Sequence, residues 1–366
     1  MNFSQIDTPA LLIDKVKVIK NIKDMQEKAD INNVSLRPHI KTHRMSTLAK
    51  LQLKYGAKGI TVAKTKEAEV MLKEGITDIF ISTVIGSKQK AEEVARIIPL
   101  GDIKVAIDSI EQAKILTSVA KKCGVKFNLL IEIEVGEKRS GITLGDKLEK
   151  LSQYLKKNQF LKLYGVYSHE GHVYGAKSVE ECKQLTKKAH KYTVDVARYL
   201  QEDGHKIETI SVGATPSLMH AAIEKGVTEI RPGTYILMDA AQGASLGDFN
   251  RCAATVLATI ISKPTDSRIV LDSGVKALTA FVRGKGICHT PGYGRIYDDS
   301  SVFIEKIYDE HAVIEDNQFN IKREISEKVR IIPNHICPLC NLYDYAYLFD
   351  EDNITKIKVD CRGKSQ

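Results

Sequence analysis

Eight short apolar segments, each separated from the next by one amphipathic helical segment, constrain the fold of this chain more than any other feature. The predicted strands span residues 34–40, 59–63, 78–83, 103–108, 127–135, 161–169, 207–213 and 229–235. Strands that are apolar almost throughout are typical of parallel sheets covered on both faces, so this pattern predicts an α/β fold, a (β/α)8 TIM barrel. An open doubly wound sheet is the alternative, but the first strand lacks the glycine-rich turn that binds dinucleotides.

The sequence pattern changes after about residue 245, where short alternating strands separated by Gly/Pro turns replace the strand and helix alternation. The strands predicted there span residues 253–262, 268–272, 302–307, 311–313 and 328–332. A short lead-in strand at residues 8–14 precedes the first helical segment. We therefore expect a barrel domain at residues 15–244 and a C-terminal β domain that comprises residues 1–14 and 245–366.

Charge and cysteine usage restrict the class of partner and compartment. The formal net charge is +8, but the lysines alternate with glutamates along helical segments and form no basic stripe with interleaved aromatics, so we expect no nucleic-acid partner. No apolar run approaches the roughly 20 residues that span a bilayer, and the N-terminus does not resemble a signal peptide. Seven scattered cysteines do not resemble a disulfide framework. We expect a cytoplasmic protein without membrane contact.

The segment from Leu36 to His43 contains a lysine, Lys41, that is poorly explained as a surface charge. It closes a short apolar run, lies between His39 and His43, and follows Pro38, which favours an extended neighbour. A desolvated lysine among cationic neighbours binds its proton less tightly, and the neutral amine can form a Schiff base with an aldehyde. Taken alone, the pattern also fits an ordinary lysine after a strand.

Unusual residues follow several of the predicted strands. In a barrel the carboxyl ends of the strands meet at one rim, where the chemistry of such folds is located. The clusters expected at this rim are Lys41, Arg139, residues 167–174, residues 211–217 and residues 231–235. Gly213 and Thr215 suit a phosphate site built from backbone amides, although ordinary turns with helix caps would look similar. A Schiff-base lysine beside a phosphate site suggests pyridoxal phosphate as the cofactor.

A second cluster lies near the end of the chain, in the segment from Pro333 to Cys340. We expect His335 and Cys337 to alternate along an extended segment, so that both side chains point to one face. Imidazole and thiolate together favour zinc, and two protein ligands leave room for water or substrate. Alternatively, His335 is a satisfied turn histidine, while Cys337 and Cys340 are small buried hydrophobes or a redox pair.

These motifs together resemble the fold-type III pyridoxal-phosphate enzymes related to alanine racemase, in the branch of eukaryotic-type D-serine dehydratase and D-threonine aldolase. The resemblance runs over almost the whole chain. The matching segments are residues 8–10, 37–43, 213–217, 231–233 and 333–338. The lysine motif and the C-terminal His/Cys segment are its most specific parts.

The resemblance implies a homodimer whose active site forms near the subunit interface, and it implies a role for each matching residue. Lys41 would bind the cofactor covalently, Arg139 would lie near its phenolic oxygen, and Tyr167 and Tyr174 would line it. The other residues expected at the cofactor are His39, Gly213, Thr215, Gly233 and Tyr235. His335 and Cys337 would hold the zinc ion.

Within this branch, the resemblance associates a His-x-Cys metal motif that binds zinc with the dehydratases. It associates a His-x-Asp motif that binds manganese or magnesium with the D-threonine aldolases. Because Cys337 occupies the second position, the resemblance favours a D-serine dehydratase-like lyase that eliminates water from a D-3-hydroxyamino acid to give a 2-keto acid and ammonia. The tyrosine base of alanine racemases has no clear counterpart, which argues against racemisation. A metal-dependent D-threonine or 3-hydroxy-D-aspartate aldolase that forms glycine and an aldehyde is the alternative. A noncatalytic cofactor carrier would lack the β domain and the metal segment.

Overall fold

The structure is a computed structural model that describes residues 3–366, and its strands fall into two sheets. The strands are β1 Ala10–Asp14, β2 Ser35–Leu36, β3 Ile60–Val62, β4 Asp78–Ile81, β5 Asp102–Ile107, β6 Phe127–Ile133, β7 Leu161–Ser168, β8 Thr209–Val212, β9 Glu229–Ile230, β10 Ala254–Ser262, β11 Arg268–Leu271, β12 Arg295–Ile296, β13 Lys306–Ile307, β14 Ala312–Glu315, β15 Lys328–Ile332, β16 Tyr345–Phe349 and β17 Ile354–Lys358. The first sheet contains β2 to β9, and the second contains the other nine strands.

Helices connect the strands of the first sheet and flank those of the second. They are α1 Lys15–Ile31, α2 Ser46–Lys54, α3 Thr65–Lys73, α4 Lys88–Ile97, α5 Ile110–Cys123, α6 Asp146–Lys156, α7 Val179–Glu202, α8 Thr215–His220, α9 Ala240–Leu246, α10 Val275–Leu278, α11 Asn317–Ile321 and α12 Ile336–Cys340. None of these helices combines the length and the apolar character that crossing a bilayer requires.

The first sheet is the predicted parallel barrel. Its strands pair in the order β2-β9-β8-β7-β6-β5-β4-β3. The sheet closes because the Lys58 N–H donates to the Leu36 carbonyl at 2.9 Å and the Thr61 N–H to the Pro38 carbonyl at 2.8 Å. The prediction of a (β/α)8 barrel is therefore confirmed. Strands β2 and β9 are shorter than predicted, since Pro38 and Pro232 follow them and proline has no N–H for the ladder.

A buried ion network fills part of the barrel. Arg37 Nε lies 2.7 Å from Glu229 Oε2, and Arg37 Nη1 lies 2.7 Å from Asp78 Oδ1. Asp78 also accepts from Lys104 Nζ at 3.0 Å. Burial disfavours the charged guanidinium, but Glu229 and Asp78 raise the pKa of Arg37, so it stays charged. Removing one partner would leave a buried charge, which is costly.

The second sheet joins both ends of the chain. Strand β1 lies between β10, to which it is antiparallel, and β16, to which it is parallel. The lead-in strand thus pairs with strands that follow the barrel in sequence. Of the strand predicted at residues 302–307, only β13 forms. The sequence reading did not identify β12, β16 and β17.

Candidate active site

A cavity of about 370 Å³ lies at the carboxyl ends of the barrel strands, where the barrel meets the β domain. Of the residues predicted from the sequence, those that line it are His39, Lys41, Arg139, Tyr167, Tyr174, Gly213, Thr215, Gly233, His335 and Cys337. The lysine near the beginning of the chain and the His/Cys segment near its end therefore share one cavity. We call the face formed by residues 39–234 the barrel wall, and the face formed by Arg283, His335 and Cys337 the β-domain wall.

Lys41 lies on a single turn of 3-10 helix, Ile40–Thr42, that directly follows the first barrel strand. The ring of His39 begins this turn, and its Nδ1 accepts the Lys41 N–H at 3.4 Å. Burial lowers the pKa of Lys41; the nearby Cys337 opposes this, whereas the guanidinium groups of Arg139 and Arg231 lower it further. A larger fraction of Lys41 is consequently the neutral, nucleophilic amine.

Two histidines beside Lys41 are held neutral. Burial, and then the charge of Lys41, keep the pKa of His39 well below its usual range and lower the pKa of His169 to about 3. His39 Nε2 lies 3.2 Å from Ser82 Oγ, so the ring orientation is fixed by this hydrogen bond. These rings can accept or donate hydrogen bonds in the cavity without adding charge.

Glu132 connects two predicted site residues, Tyr167 and Arg139. The Tyr167 hydroxyl lies 2.9 Å from Glu132 Oε2 and 2.8 Å from the Ser82 carbonyl. The other carboxylate oxygen of Glu132 lies 3.4 Å from Arg139 Nη2. Burial, with the charge of Glu132, raises the pKa of Tyr167 well above its usual range, so the hydroxyl stays protonated and acts as a fixed donor.

Arg231 is a site residue that the sequence reading left unassigned. Its Nη2 donates to the Ser168 carbonyl at 2.6 Å, and its guanidinium carbon lies 5.0 Å from the centre of the Tyr167 ring. Its Nη1 donates to Ser211 Oγ, which donates in turn to Glu229 Oε1 at 2.6 Å. The signal was present in the sequence, because Arg231 opens the same Arg-Pro-Gly turn that supplies Gly233.

The two turns expected to bind phosphate come close together and leave no room for larger side chains. Gly213 has φ +137°, and a Cβ there would lie 2.9 Å from Leu218 Cδ1 and 3.0 Å from Arg231 N. A Cβ on Gly233 would lie 2.8 Å from Thr42 Oγ1. Helix α8 starts at Thr215, and the first N–H groups of a helix have no acceptor within the helix. These features suit an anion such as a phosphate group.

Tyr235 is the predicted site residue that the structure does not bring to the cavity. Its side chain is buried away from the cavity, and its hydroxyl accepts from Gln52 Nε2 at 2.9 Å. Its backbone N–H donates to Thr215 Oγ1 at 3.1 Å, so it supports the turn from outside. The chain turns into a 3-10 helix at Thr234–Ile236, and this rotates the Tyr235 side chain away from the direction that a continuing strand would give.

The metal segment has a different backbone from the one predicted. His335 is extended, but Ile336–Cys340 form helix α12, so the expected alternation along a strand is wrong. The helix starts there because Asp239 Oδ2 accepts the Ile336 N–H at 3.1 Å, and because Pro338 lies in the first turn, where a proline is tolerated. Both side chains nevertheless line the cavity.

The two donor atoms of this pair differ in their present contacts: His335 Nδ1 has no hydrogen-bond partner, whereas Cys337 Sγ contacts the hydroxyls of Thr42 and Thr234. His335 Nδ1 is buried without a hydrogen-bond partner, and the ring packs edge-on against Phe281 at 4.6 Å. Cys337 Sγ lies 3.4 Å from Thr42 Oγ1. Within residues 3–366, no group of three or more His, Cys, Asp or Glu side chains is arranged around a common metal position. The protein thus offers two donors, which fits an open site completed by water or substrate.

Cys340 does not behave as the second half of a redox pair. It is completely buried, and burial raises the pKa of its thiol well above the usual range. A thiol that stays protonated is a poor nucleophile, so Cys340 fits the reading of a small buried hydrophobe.

The cavity is also lined by residues for which the sequence predicted no individual role. They are Thr42, Ser82, Glu137, His169, Gly171, Ala214, Arg231, Thr234 and Arg283. Burial raises the pKa of Glu137, the one carboxylate among the lining residues described. Arg283 comes from the β domain, from the loop between α10 and β12. That loop carries no periodic pattern that would have marked it in the sequence.

Comparison with known proteins identifies relatives over the full length of the chain. The model of the alanine racemase N-terminal domain matches residues 13–241, and that of a serine dehydratase domain matches residues 253–349. A D-threonine aldolase from Arthrobacter sp. is 28% identical over 368 residues, 99% of this chain and 94% of the relative. A D-serine dehydratase from Dictyostelium discoideum is 28% identical over 384 residues, 96% of this chain and 95% of the relative.

A solved structure of similar architecture extends the comparison. It is the D-threo-3-hydroxyaspartate dehydratase from Delftia sp. HT23, with a TM-score of 0.90, 26% identity, and coverage of 97% of this chain and 98% of that chain. Structures of a D-threo-3-hydroxyaspartate dehydratase also exist for a cysteine-to-alanine mutant in the metal-free form and for a histidine-to-alanine mutant two positions earlier in sequence. The chain described here belongs to the alanine racemase-like, fold-type III pyridoxal-phosphate family, in the branch of the D-serine dehydratases and D-threonine aldolases.

Proposed function

We propose that this protein is a pyridoxal-phosphate- and zinc-dependent lyase that eliminates water from a D-3-hydroxyamino acid to give a 2-keto acid and ammonia. The observation that carries the proposal is the single cavity that is lined by a desolvated lysine, by a histidine with an unpaired ring nitrogen and by a cysteine. Elimination needs a base at the α-carbon and an acid at the β-hydroxyl, and these two walls offer one of each.

The residues of the barrel wall fit the cofactor. Gly213 and Gly233 allow the two turns to approach closely, because a Cβ at either position would collide with Leu218 or Thr42, and Thr215 begins a helix whose first amides would serve a phosphate group. Arg139 and Tyr167 are held by Glu132 at the side of the cavity where they would contact the ring. Lys41 would hold pyridoxal phosphate covalently between turnovers. When the amino group of the substrate replaces Lys41 on the cofactor, the cofactor would supply an acceptor for the electron pair left at the α-carbon, and Lys41 Nζ would be free to act as a base.

Lys41 is the base in this proposal. Its Nζ takes the α-proton of the bound amino acid, and burial favours the neutral form that this step requires. His39 holds the lysine turn by accepting the Lys41 N–H, and Ser82 fixes the ring of His39. The proton removed from the α-carbon and the hydroxide that leaves the β-carbon together make up the eliminated water.

His335 and Cys337 would hold the metal ion. The unpaired Nδ1 of His335 and the thiol of Cys337 are the soft donor types that zinc prefers. A zinc ion there would act as a Lewis acid toward the β-hydroxyl leaving group. The mutants of the D-threo-3-hydroxyaspartate dehydratase support this, because the mutated histidine and cysteine have the same His-x-Cys spacing and the cysteine mutant is described as metal-free.

A retro-aldol lyase that forms glycine and an aldehyde is the second candidate. The relatives favour it as strongly as dehydration, since they include a D-threonine aldolase and a 3-hydroxy-D-aspartate aldolase from Paracoccus denitrificans. This reaction needs a base for the β-hydroxyl proton instead of an acid for the leaving group. The cysteine at position 337 favours dehydration, in keeping with the His-x-Cys pattern.

We further propose a cytoplasmic homodimer. All seven cysteines are free thiols, as a reducing compartment would keep them. Phe281, which packs against the cavity residues Arg283 and His335, and its neighbour Val282 are 37% and 47% exposed, and a partner subunit would cover them.

The test compares products from D-serine, D-threonine and 3-hydroxy-D-aspartate with enzyme loaded with pyridoxal phosphate and zinc. We expect a 2-keto acid and ammonia, and we expect chelation to abolish their formation while the absorbance of the bound cofactor persists. Glycine and an aldehyde as the products would select the aldolase. Full activity in a metal-stripped sample would rule out the role proposed for His335 and Cys337.

A further inference from the structure

Arg283 is the one charged residue that the loop between α10 and β12 contributes to the cavity. Its guanidinium carbon lies 4.3 Å from the centre of the Tyr174 ring and 5.2 Å from that of Phe281. These two rings hold the side chain in one orientation through cation–π contacts and restrict its rotamers. Arg283 is therefore a positioned cation and not a freely moving surface arginine.

The charge of Arg283 has no acidic partner within the chain. Its Nε is buried without a hydrogen-bond acceptor, and among residues 3–366 no carboxylate oxygen lies within 4.0 Å of its guanidinium. Glu137, the carboxylate that also lines the cavity, interacts with this charge electrostatically but at a distance longer than that of a salt bridge. By contrast, the guanidinium groups of Arg139 and Arg231 are engaged with Glu132 and with Ser168 and Ser211. An unpaired guanidinium facing a cavity is suited to an anionic ligand group.

The position of Arg283 indicates which carbon of the substrate carries that group. Arg283 packs against one side of Phe281, and the His335 ring packs against the same phenylalanine at 4.6 Å. Arg283 and His335 are thus neighbours on the β-domain wall, and the charge of Arg283 contributes to the lowered pKa of His335. In the proposed function the metal at His335 and Cys337 faces the β-hydroxyl, so a group bonded to the same β-carbon lies beside Arg283.

We propose that Arg283 binds a second carboxylate, on the β-carbon, and that the preferred substrates are 3-hydroxy-D-amino acids with an acidic side chain, of the 3-hydroxy-D-aspartate type. This inference rests on the proposed function for the orientation of the substrate. A bidentate guanidinium–carboxylate contact in a partly desolvated cavity accounts for a preference of about 10- to 100-fold over a neutral side chain.

The first experiment measures binding without turnover. D-Aspartate carries the second carboxylate but no β-hydroxyl, and D-asparagine is its neutral isostere. Dissociation constants of both are measured from the absorbance change of the holoenzyme's cofactor. We expect the wild type to bind D-aspartate at least about 10-fold more tightly, and Arg283→Gln to bind both compounds equally. Arg283→Lys should keep an intermediate preference, because it retains the charge but not the fork of donors.

Lys285→Gln is the matched control, because Lys285 is an exposed cation two positions away that does not line the cavity. It should bind both compounds as the wild type does. If Arg283→Gln weakens D-aspartate and D-asparagine to the same extent, the arginine binds the α-carboxylate or has a structural role, and the proposal is wrong. A wild type without preference for D-aspartate overturns it as well.

A second experiment separates this inference from the proposed function. The ratio of kcat/KM for 3-hydroxy-D-aspartate over that for D-serine should fall about 10- to 100-fold in Arg283→Gln and should keep its wild-type value in Lys285→Gln. If no 3-hydroxyamino acid yields keto acid or glycine while the preference for D-aspartate persists and depends on Arg283, the lyase function fails and the carboxylate site stands. If turnover occurs without that preference, the carboxylate site fails and the lyase function stands.

Discussion

The two walls of the cavity differ in how far their polar groups are already paired. On the barrel wall, Arg231 is held by Ser168 and Ser211, Tyr167 by Glu132 and Ser82, and His39 by Ser82. On the β-domain wall, His335 Nδ1 and Arg283 Nε are buried without partners. Buried polar groups are normally hydrogen-bonded, so the unpaired nitrogen atoms on the β-domain wall indicate that a ligand binds there.

The difference suggests a division of labour between the two domains. A prepaired wall holds its groups in fixed positions and suits a resident cofactor, whose contacts do not change during turnover. A wall with free donors suits species that enter and leave, such as the substrate and the metal with its open coordination positions. Substitutions on each wall, and in the buried network of the barrel, test this division.

Replacing Lys41 with alanine should have the largest effect. The barrel wall would lose both its covalent attachment point and its base, so turnover should fall below detection, and the absorbance of the lysine-linked cofactor should disappear. Absorption spectroscopy and a keto-acid assay measure the two losses. An unchanged spectrum would show that the cofactor is attached elsewhere.

Replacing Glu229 with glutamine should destabilise the fold by about 3–5 kcal/mol, because Arg37 and the Ser211–Arg231 chain lose a buried carboxylate. Urea unfolding followed by circular dichroism measures this change. Glu74→Gln is the control, since Glu74 pairs with Lys50 at the surface and should cost less than about 1 kcal/mol. Equal effects of the two substitutions would mean that the network beneath the barrel wall is not stabilising.

Acid should weaken the fold through the buried neutral histidines. The pKa of His43 is lowered from 6.5 to about 4, chiefly by burial, so the unfolded chain binds a proton at this residue between these pH values and the folded chain does not. Stability should therefore fall as the pH decreases from about 6.5 toward 4, by about 2 kcal/mol at pH 5 relative to pH 8 for this residue. His43→Gln should show a shallower dependence of unfolding free energy on pH. An identical slope in both proteins would contradict the assignment.

The smallest effect is expected for the stability of Arg283→Gln. Because this guanidinium has no acidic partner among residues 3–366, removing its charge should change the free energy of unfolding by less than about 1 kcal/mol. Thermal unfolding measures this in the absence of substrate. A loss as large as that of Glu229→Gln would show that the β-domain wall is prepaired too.

The sequence predicted the barrel wall well, for a physical reason. The barrel strands are nearly continuous apolar runs, and residues at their carboxyl ends must converge wherever the sheet closes. Lys41, Arg139, Tyr167, Gly213 and Thr215 could thus be placed together from local patterns alone. Tyr235 was misplaced because the chain leaves the strand at Pro232, and a turn of 3-10 helix changes the direction of the next side chains.

The β-domain wall was predicted less completely, because its geometry depends on contacts that are distant in sequence. His335 and Cys337 were found by their chemistry, but their backbone was misread, since the hydrogen bond from Ile336 to Asp239 joins positions in different domains. Arg283 lies in a Gly-rich loop that reads as an ordinary solvated turn. Only the packing of that loop on Tyr174 turns its charge into the cavity.

Strand β1 lies in the sheet of the β domain, and the chain then continues into helix α1 of the barrel. After the barrel, the chain returns to that sheet at β10, which pairs with β1. Two covalent crossings side by side act as a double tether, so neither domain can swing away from the other about a single hinge. The two walls of the cavity are therefore joined at two adjacent strands and not through one connecting segment.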